Sequence, residues 1–288
     1  MTSDAKSPPD ELHRFLFEGM EIRGELVQLN DAYREVLSQT RYSPETAVLL
    51  GQFMAAAALL SATLKFDGNL ILQVKTSGRV QLLMAECRNQ MFLRAIARCD
   101  DDSQDLELLG DGQLAITIEP ERGERYQGII SFDGGDLGIA LQDYFSQSEQ
   151  LRTRLWLNAN GNTAAGMLIQ ELPRASELEQ IQHAENWSRV SLLADTVTAS
   201  EMFDLDSLDL LHRLFHEERV RIFEAQVLAF RCTCSTERTS QVLLNLGQEE
   251  VRSLLAEQGT IKIDCQFCHR QFQYGDAEVE ELFRSETH

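Results

Sequence analysis

Hydrophobic positions change period twice in the first sixty residues. Ile22-Arg23-Gly24-Glu25-Leu26-Val27 alternates enough for a half-buried strand, and a helix is expected near Asp31 to Ser38. Ser43-Pro44-Glu45 reads as a helix start, with proline in the first turn and an acid near the positive end of the dipole. That helix is expected to run to about Leu64. Thr46 to Leu64 is a nineteen-residue run without charge, which nominally reaches the length of a membrane span. Gly51, Gln52, Ser61, Thr63 and four alanines at 55 to 58 keep its hydrophobicity modest. The sequence therefore predicts a helix buried on most sides, the spine of a first domain.

From Leu70 the pattern shortens to strands, predicted over 70–75, 80–87, 114–119, 126–132 and 154–158. Turn signals punctuate them at Asp67-Gly68, Ser77-Gly78, Gly110-Asp111-Gly112 and Asp133-Gly134-Gly135. Residues 137–150 read as helical, and 163–172 as a compact apolar helix ending at Pro173. Strands and helices mix without a βαβ rhythm, which argues for an α+β domain over residues 1–175. Residues 176–231 read as a mostly helical linker, with helices over 177–188, 190–197 and 206–218 and a capping box at Thr198-Ala199-Ser200-Glu201. Leu208, Leu211, Leu214 and Phe215 form an apolar stripe. Helices this small cannot bury such stripes on one another, so they are expected to lean on a neighbouring domain. The last unit, 232–288, continues a strand that opens at Val227, then shows a helix over 247–258, a strand over 260–265 and a helix after Gly275.

Composition narrows the chemistry. With 43% hydrophobic residues the chain can build real cores. Its formal charge is −20, and residues 232–288 carry five Lys/Arg against ten Asp/Glu, so a phosphate backbone is repelled and a nucleic-acid partner is not expected. The first ten residues lack the basic and apolar regions of a signal peptide, so a cytoplasmic protein without a membrane role is expected. No phosphate-binding glycine loop, serine elbow or nucleophile–base–orienter set is evident, so no catalytic residue is assigned. His13 and His183 have no recognisable partners. His212 and His216 share a helical face without an evident third ligand, and isolated Cys87 and Cys99 read as buried thiols.

Four of the six cysteines fall within 37 residues, as Cys232-Thr233-Cys234 and Cys265-Gln266-Phe267-Cys268. Four soft thiols in two short pairs are the ligand set of a closed tetrahedral zinc site. A unit of this size has little core, so one zinc ion per chain would act as its staple. The same pairs are spaced for two local disulfides. On a strand, Cys232 and Cys234 would share a face with Cα atoms roughly 6.6 Å apart, so bridging them would bend the backbone, whereas Cys265 and Cys268 need no unusual geometry. Spacing alone leaves a permanent structural zinc site as the simpler account and a dithiol–disulfide oxidoreductase using Cys265 and Cys268 as the competing class. Cys265-Gln266-Phe267-Cys268-His269 also matches a haem attachment pattern, which the second cysteine pair and the missing export signal argue against.

Arg14-Phe15-Leu16-Phe17-Glu18, Arg23-Gly24-Glu25-Leu26-Val27, Leu64-Lys65-Phe66-Asp67-Gly68, Tyr144-Phe145-Ser146-Gln147-Ser148-Glu149-Gln150, Leu211-His212-Arg213-Leu214-Phe215-His216-Glu217-Glu218 and the Cys-x-Cys plus Cys-x-x-Cys ending occur in this order along the chain. Taken together, they resemble the redox-regulated holdase chaperones of bacteria, the thirty-three kilodalton heat-shock protein family. The resemblance implies an α+β client-binding domain, a helical linker that senses unfolding and a C-terminal zinc redox switch. It implies that Cys232, Cys234, Cys265 and Cys268 hold zinc in a reduced, inactive form. It further implies that oxidation pairs the cysteines within each motif, releases zinc and unfolds switch and linker. The product would be an ATP-independent holdase, often a homodimer, that binds unfolded client proteins during oxidative stress.

Overall fold

The computed structural model describes residues 9–64, 67–100, 105–173 and 180–284. The chain divides into two compact units, one through Arg231 and one beginning at Cys232.

In the first unit, β1 (Glu11–Phe17) pairs antiparallel with β2 (Ile22–Leu29), and α1 (Asp31–Gln39) follows. The uncharged run becomes α2 (Pro44–Ala62), whose Ser43 cap accepts a hydrogen bond from the Thr46 amide at 3.2 Å. Three strands follow, β3 (Gly68–Thr76), β4 (Val80–Arg88) and β5 (Phe92–Cys99). After them come β6 (Gly112–Pro120), β7 (Tyr126–Phe132) and α3 (Leu137–Tyr144), which runs into a π turn at Phe145–Glu149. β8 (Thr153–Ala159) and β9 (Ala164–Glu171) follow. The remainder is α4 (Gln180–Ala194), α5 (Ala199–Asp204), α6 (Ser207–Phe215) and three short strands, β10 (Val220–Ile222), β11 (Gln226–Val227) and β12 (Ala229–Phe230).

One sheet has the order β10-β1-β2-β9-β8, with β11 also on β1; the other has the order β12-β5-β4-β3-β6-β7. Every pairing is antiparallel except β12 with β5. α2 packs against β2, β8 and β9 of the first sheet and β3, β4 and β5 of the second. This explains its apolar surface on every side. Among the described residues it is the one helix long and apolar enough to cross a bilayer, and 78% of its most apolar stretch is buried within the fold.

The opposite face of the first sheet is covered by α4, α5 and α6. Phe15, Phe17, Ile22, Leu26, Ala165, Met167 and Ile169 of the sheet form one buried cluster with Trp187, Val190, Met202, Leu210, Leu211, Leu214 and Phe215 of the helices. The Phe17 and Phe215 rings meet edge to face at 5.0 Å, and Phe15 lies 6.1 Å from Phe215. The linker helices thus bury their stripes on a neighbouring sheet, as their size requires. The capping box forms, with Thr198 and Glu201 exchanging bonds.

Several expectations are corrected. Residues 163–172 form a strand, β9, rather than a helix. It lies between β2 and β8 with both faces covered, so its side chains are buried throughout and the alternation that marks a strand is lost. α4 is a single helix through Ser188 to Val190, and the expected start at 177–179 lies outside the described residues. Leu208 is 50% exposed, and Leu210 takes its place in the buried stripe. The linker is not helical to its end, because Val220–Phe230 adds three strands to the sheet edges.

The second unit holds α7 (Thr236–Leu246), α8 (Gln248–Gln258), the antiparallel pair β13 (Ile261–Asp264) and β14 (Gln271–Tyr274), and α9 (Asp276–Arg284). α7 is absent from the sequence expectations. Its core is small: Leu243, Val251, Leu255, Ile261, Phe272, Tyr274 and Val279. The Tyr274 hydroxyl bonds to Thr239 Oγ1 and donates to the Thr236 carbonyl at 3.1 Å, tying β14 to the start of α7.

Candidate metal centre

Two pieces of local structure carry the four thiols. Cys265 to Arg270 is the turn between β13 and β14. The Cys265 amide donates to the Arg270 carbonyl at 2.9 Å, the His269 amide donates to the Cys265 carbonyl at 2.8 Å, and His269 takes a left-handed backbone with φ +52°. Cys232 and Cys234 lie on an irregular stretch ahead of α7. This corrects the expectation that they share a strand face, and the strain argument drawn from a pleated strand falls with it. Ser235 ends the stretch by capping α7, accepting from the Arg238 amide at 3.3 Å, while Arg238 Nη1 donates to Thr233 Oγ1 at 2.6 Å.

The four Sγ atoms all lie within 4.8 Å of one another, and each side chain is partly buried. Cys232 Sγ is 3.5 Å from Cys265 Sγ, and Cys234 Sγ is 3.5 Å from Cys268 Sγ, so the shortest described contacts join one pair to the other. None of the six cysteines is joined in a disulfide. A tetrahedral ion with Zn–S bonds of about 2.3 Å needs sulfur–sulfur edges of about 3.8 Å. The quartet's separations, 3.5 Å for two pairs and at most 4.8 Å for the rest, bracket that value, and the cluster could hold a metal ion. Two amides aim at the sulfurs, from Cys234 toward Cys232 and from Arg270 toward Cys268. Burial pushes the Cys232 thiol up, but the Cys234 amide and the neighbouring thiols outweigh it and hold Cys232 below the ordinary thiol value. Burial and the neighbouring thiols push Cys234 up, and burial leads the rise of Cys268. The cluster therefore favours one thiolate first, as expected of thiols crowded around a shared charge.

Other candidates separate from this centre. Cys87 is fully buried on β4, where desolvation pushes its thiol up to about 12. Cys99 is exposed at the end of β5, contrary to the buried thiol expected of it, because the strand runs out past the core there. His212 and His216 stack with centroids 6.1 Å apart, and among the described residues no third ligand joins them. His13 and His183 do have partners: His13 lies 3.3 Å from Glu11, and buried His183 on α4 lies 3.2 Å from Glu171 and 3.7 Å from Glu21. Sequence reasoning missed Ser235, Thr239 and Tyr274, which frame the centre. Ser235 followed by acidic Glu237 was the available signal for a helix start.

Fold and site together define a class: a two-unit α+β protein with a four-thiol cluster able to hold a metal ion in its smaller unit. The Hsp33 protein family model matches residues 10–275. The chain is 49% identical over 280 residues to the 33 kDa chaperonin of Ectopseudomonas mendocina, covering 95% of each chain. It is also 49% identical over 281 residues to that of Nitrosococcus oceani, covering 96% of each. The crystal structure of the 33 kDa chaperonin from Thermotoga maritima superposes with a TM-score of 0.80 at 18% identity, covering 96% of this chain and 99% of that one, and so shares the fold. The chain belongs to the Hsp33 family, whose members' names support a chaperone role.

Proposed function

We propose that this protein is a redox-regulated, ATP-independent holdase whose four cysteines bind zinc in the resting state and form disulfides in the active one. The observation that carries the reading is the gathering of Cys232, Cys234, Cys265 and Cys268 as free thiols within 4.8 Å, in a unit with a core of seven buried apolar side chains. Zinc bound there would hold the four thiolates and contribute on the order of 10 kcal/mol to the unit's folding. In this reading residues 1–175 bind clients, 176–231 form the linker and 232–288 the switch.

Oxidation by a peroxide balances simply. As the zinc-binding thiolates, Cys232 and Cys234 give up two electrons as their S–S bond forms, and one peroxide takes those electrons and two protons from solvent to become two waters; Cys265 and Cys268 consume a second peroxide in the same way. The cage then has no thiolates left to hold a metal, and the small core loses its staple. The segment ending at Arg231 loses its folded neighbour at Cys232. Undocking of α4, α5 and α6 would uncover the sheet face that carries Phe15, Phe17, Ile22, Leu26, Met167 and Ile169. An apolar face of that kind on a body of charge −20 can hold unfolding chains while repulsion keeps the complexes dispersed. A cytoplasmic protein that dimerises when oxidised fits this reading.

The test combines light scattering with zinc and thiol counting. Peroxide-treated protein should suppress aggregation of a heat-unfolding protein at near-stoichiometric ratios, having lost its zinc and four thiols. Reduced, zinc-loaded protein should not suppress it. Equal protection by both forms would overturn the redox switch, and turnover of disulfides at trace concentration would favour a dithiol oxidoreductase.

A further inference from the structure

Residues 219–231 lie along the edges of both sheets of the first unit. They are held there chiefly by their backbone. Phe15, Leu16 and Phe17 pair with Ile222, Arg221 and Val220, and Glu11 and Leu12 pair with Val227 and Gln226. The Glu18 amide donates to the Arg219 carbonyl at 2.8 Å, the Phe223 amide to the Arg14 carbonyl at 2.9 Å, and the Leu228 amide to the Asp10 carbonyl at 2.8 Å. Beyond β1, the Ala229 and Arg231 amides donate to the Met91 and Leu93 carbonyls on and beside β5, both at 3.0 Å. Most side chains of this strap face away from the fold: Ile222 is 36% exposed, Phe223 42% and Val227 63%. Leu228 is its one fully buried anchor.

Two features make the strap a replaceable occupant. It breaks between β10 and β11, so a three-residue and a two-residue strand cover the seven residues of β1. A continuous strand can pair along more of that edge. The strap also runs directly into Cys232, so it loses its folded C-terminal neighbour whenever the second unit melts. An uncovered edge is a row of outward amides and carbonyls that any extended chain can pair with, whatever its sequence.

We propose that the outer edge of β1 is an acceptor for an extended segment of an unfolding polypeptide, which adds to the first sheet in the place of β10 and β11. This rests on the holdase reading above and adds to it a second mode of capture. The apolar sheet face binds side chains, and the β1 edge binds backbone. The bonds to the Asp10 and Arg14 carbonyls and from the Glu18 amide show which β1 groups point outward: those of the even-numbered residues, Leu12, Arg14 and Leu16 among them.

The experiment uses the full chain, reduced or peroxide-oxidised, and two labelled valine–threonine repeat peptides. One has free amides; the other is N-methylated at consecutive residues throughout, which leaves its side chains intact and blocks both ladder edges. The oxidised protein should bind the first peptide at least about tenfold more tightly than the second, since several ladder bonds are lost together. The reduced protein should bind neither. Residue-resolved hydrogen exchange should show the amides of Leu12, Arg14, Leu16 and Glu18 fast in oxidised protein and slowed by the free-amide peptide. Arg14→Pro, which deletes one outward amide, should weaken that peptide and spare the methylated one. Equal affinity for the two peptides, no binding of either by oxidised protein, or outward amides that stay fast in the complex would overturn the proposal. Light scattering on the same samples reports the holdase reading separately: oxidised protein that suppresses aggregation yet ignores N-methylation refutes edge capture alone.

Discussion

Phe215→Ala tests whether the sheet face under the linker is where clients bind. Phe215 is fully buried, packs edge to face on Phe17 at 5.0 Å and lies 6.1 Å from Phe15. Removing such a ring costs about 3 kcal/mol or more. Because Phe215 belongs to α6 and its partners to β1, that cost falls on docking of the linker rather than on the α2 core, in which it has no part. A 3 kcal/mol loss raises the undocked population about 150-fold, which matters for a segment whose opening is cheaper than global unfolding. The reduced, zinc-loaded variant should therefore protect a heat-unfolding protein without any oxidant, and hydrogen exchange should quicken over 180–215 while α2 stays protected. Should exchange show the helices released while the reduced variant still gives no protection, the face they cover is not the client surface. Leu211→Ala, in the same cluster, provides a second variant with the same expected outcome.

Other outcomes follow from single features. A strong zinc chelator applied to reduced protein should melt residues 232–284 and leave the first unit folded, as read by hydrogen exchange; a second unit unchanged without metal would remove the staple from the argument. Gln28→Leu removes the bonds from Gln28 Nε2 to the Met202 and Leu205 carbonyls, at 2.9 and 2.8 Å, and the one accepted from Ser207 at 3.1 Å. Buried carbonyls left without a donor should weaken linker docking by about 2 kcal/mol, seen as faster exchange over 199–215 in the reduced form. Glu25 is buried, which lifts its carboxyl to about 7 from 4.5 despite Arg23 and Arg14. Between those values the folded chain keeps a proton that the unfolded chain releases, so stability falls as pH rises through that window and stays lower above it. Glu25→Gln should flatten that fall and stabilise the protein near pH 8 by up to about 3 kcal/mol, and an unchanged melting profile across the window would refute the assignment.

What the chain's pattern made readable depended on how many sides of an element are buried. α2 was legible because nineteen residues without charge have nowhere to go but a core. β9 was not, because a strand covered on both faces has no polar side left to reveal its period, and its small Ala164, Ala165 and Gly166 look like helix. Gly166 is needed for contact: a Cβ there would sit 2.8 Å from Leu59 Cδ1 of α2. The quartet's residues were named from spacing and come together as a cluster, while their local backbone was not foreseen. Spacing alone does not distinguish a strand from the irregular lead into a capped helix. β10 escaped notice, and the strand expected from Val227 into the cysteine pair is two short pieces, β11 and β12, for a different reason: they are held by backbone bonds that leave little trace in side-chain pattern.

Gln28 is a buried polar group beneath α5 and α6, and its two ends read both a donor and acceptors on the linker at the junction of those helices. Apolar contacts tolerate sliding; a side-chain amide fitted to two particular carbonyls and one hydroxyl does not. When the helices lift away, water satisfies the amide and the groups it held, so undocking leaves none of them without a partner. On return, only one alignment restores all three bonds. The cover can come off in many ways and go back in one, and that asymmetry would let the resting state be re-established in register after each episode of stress.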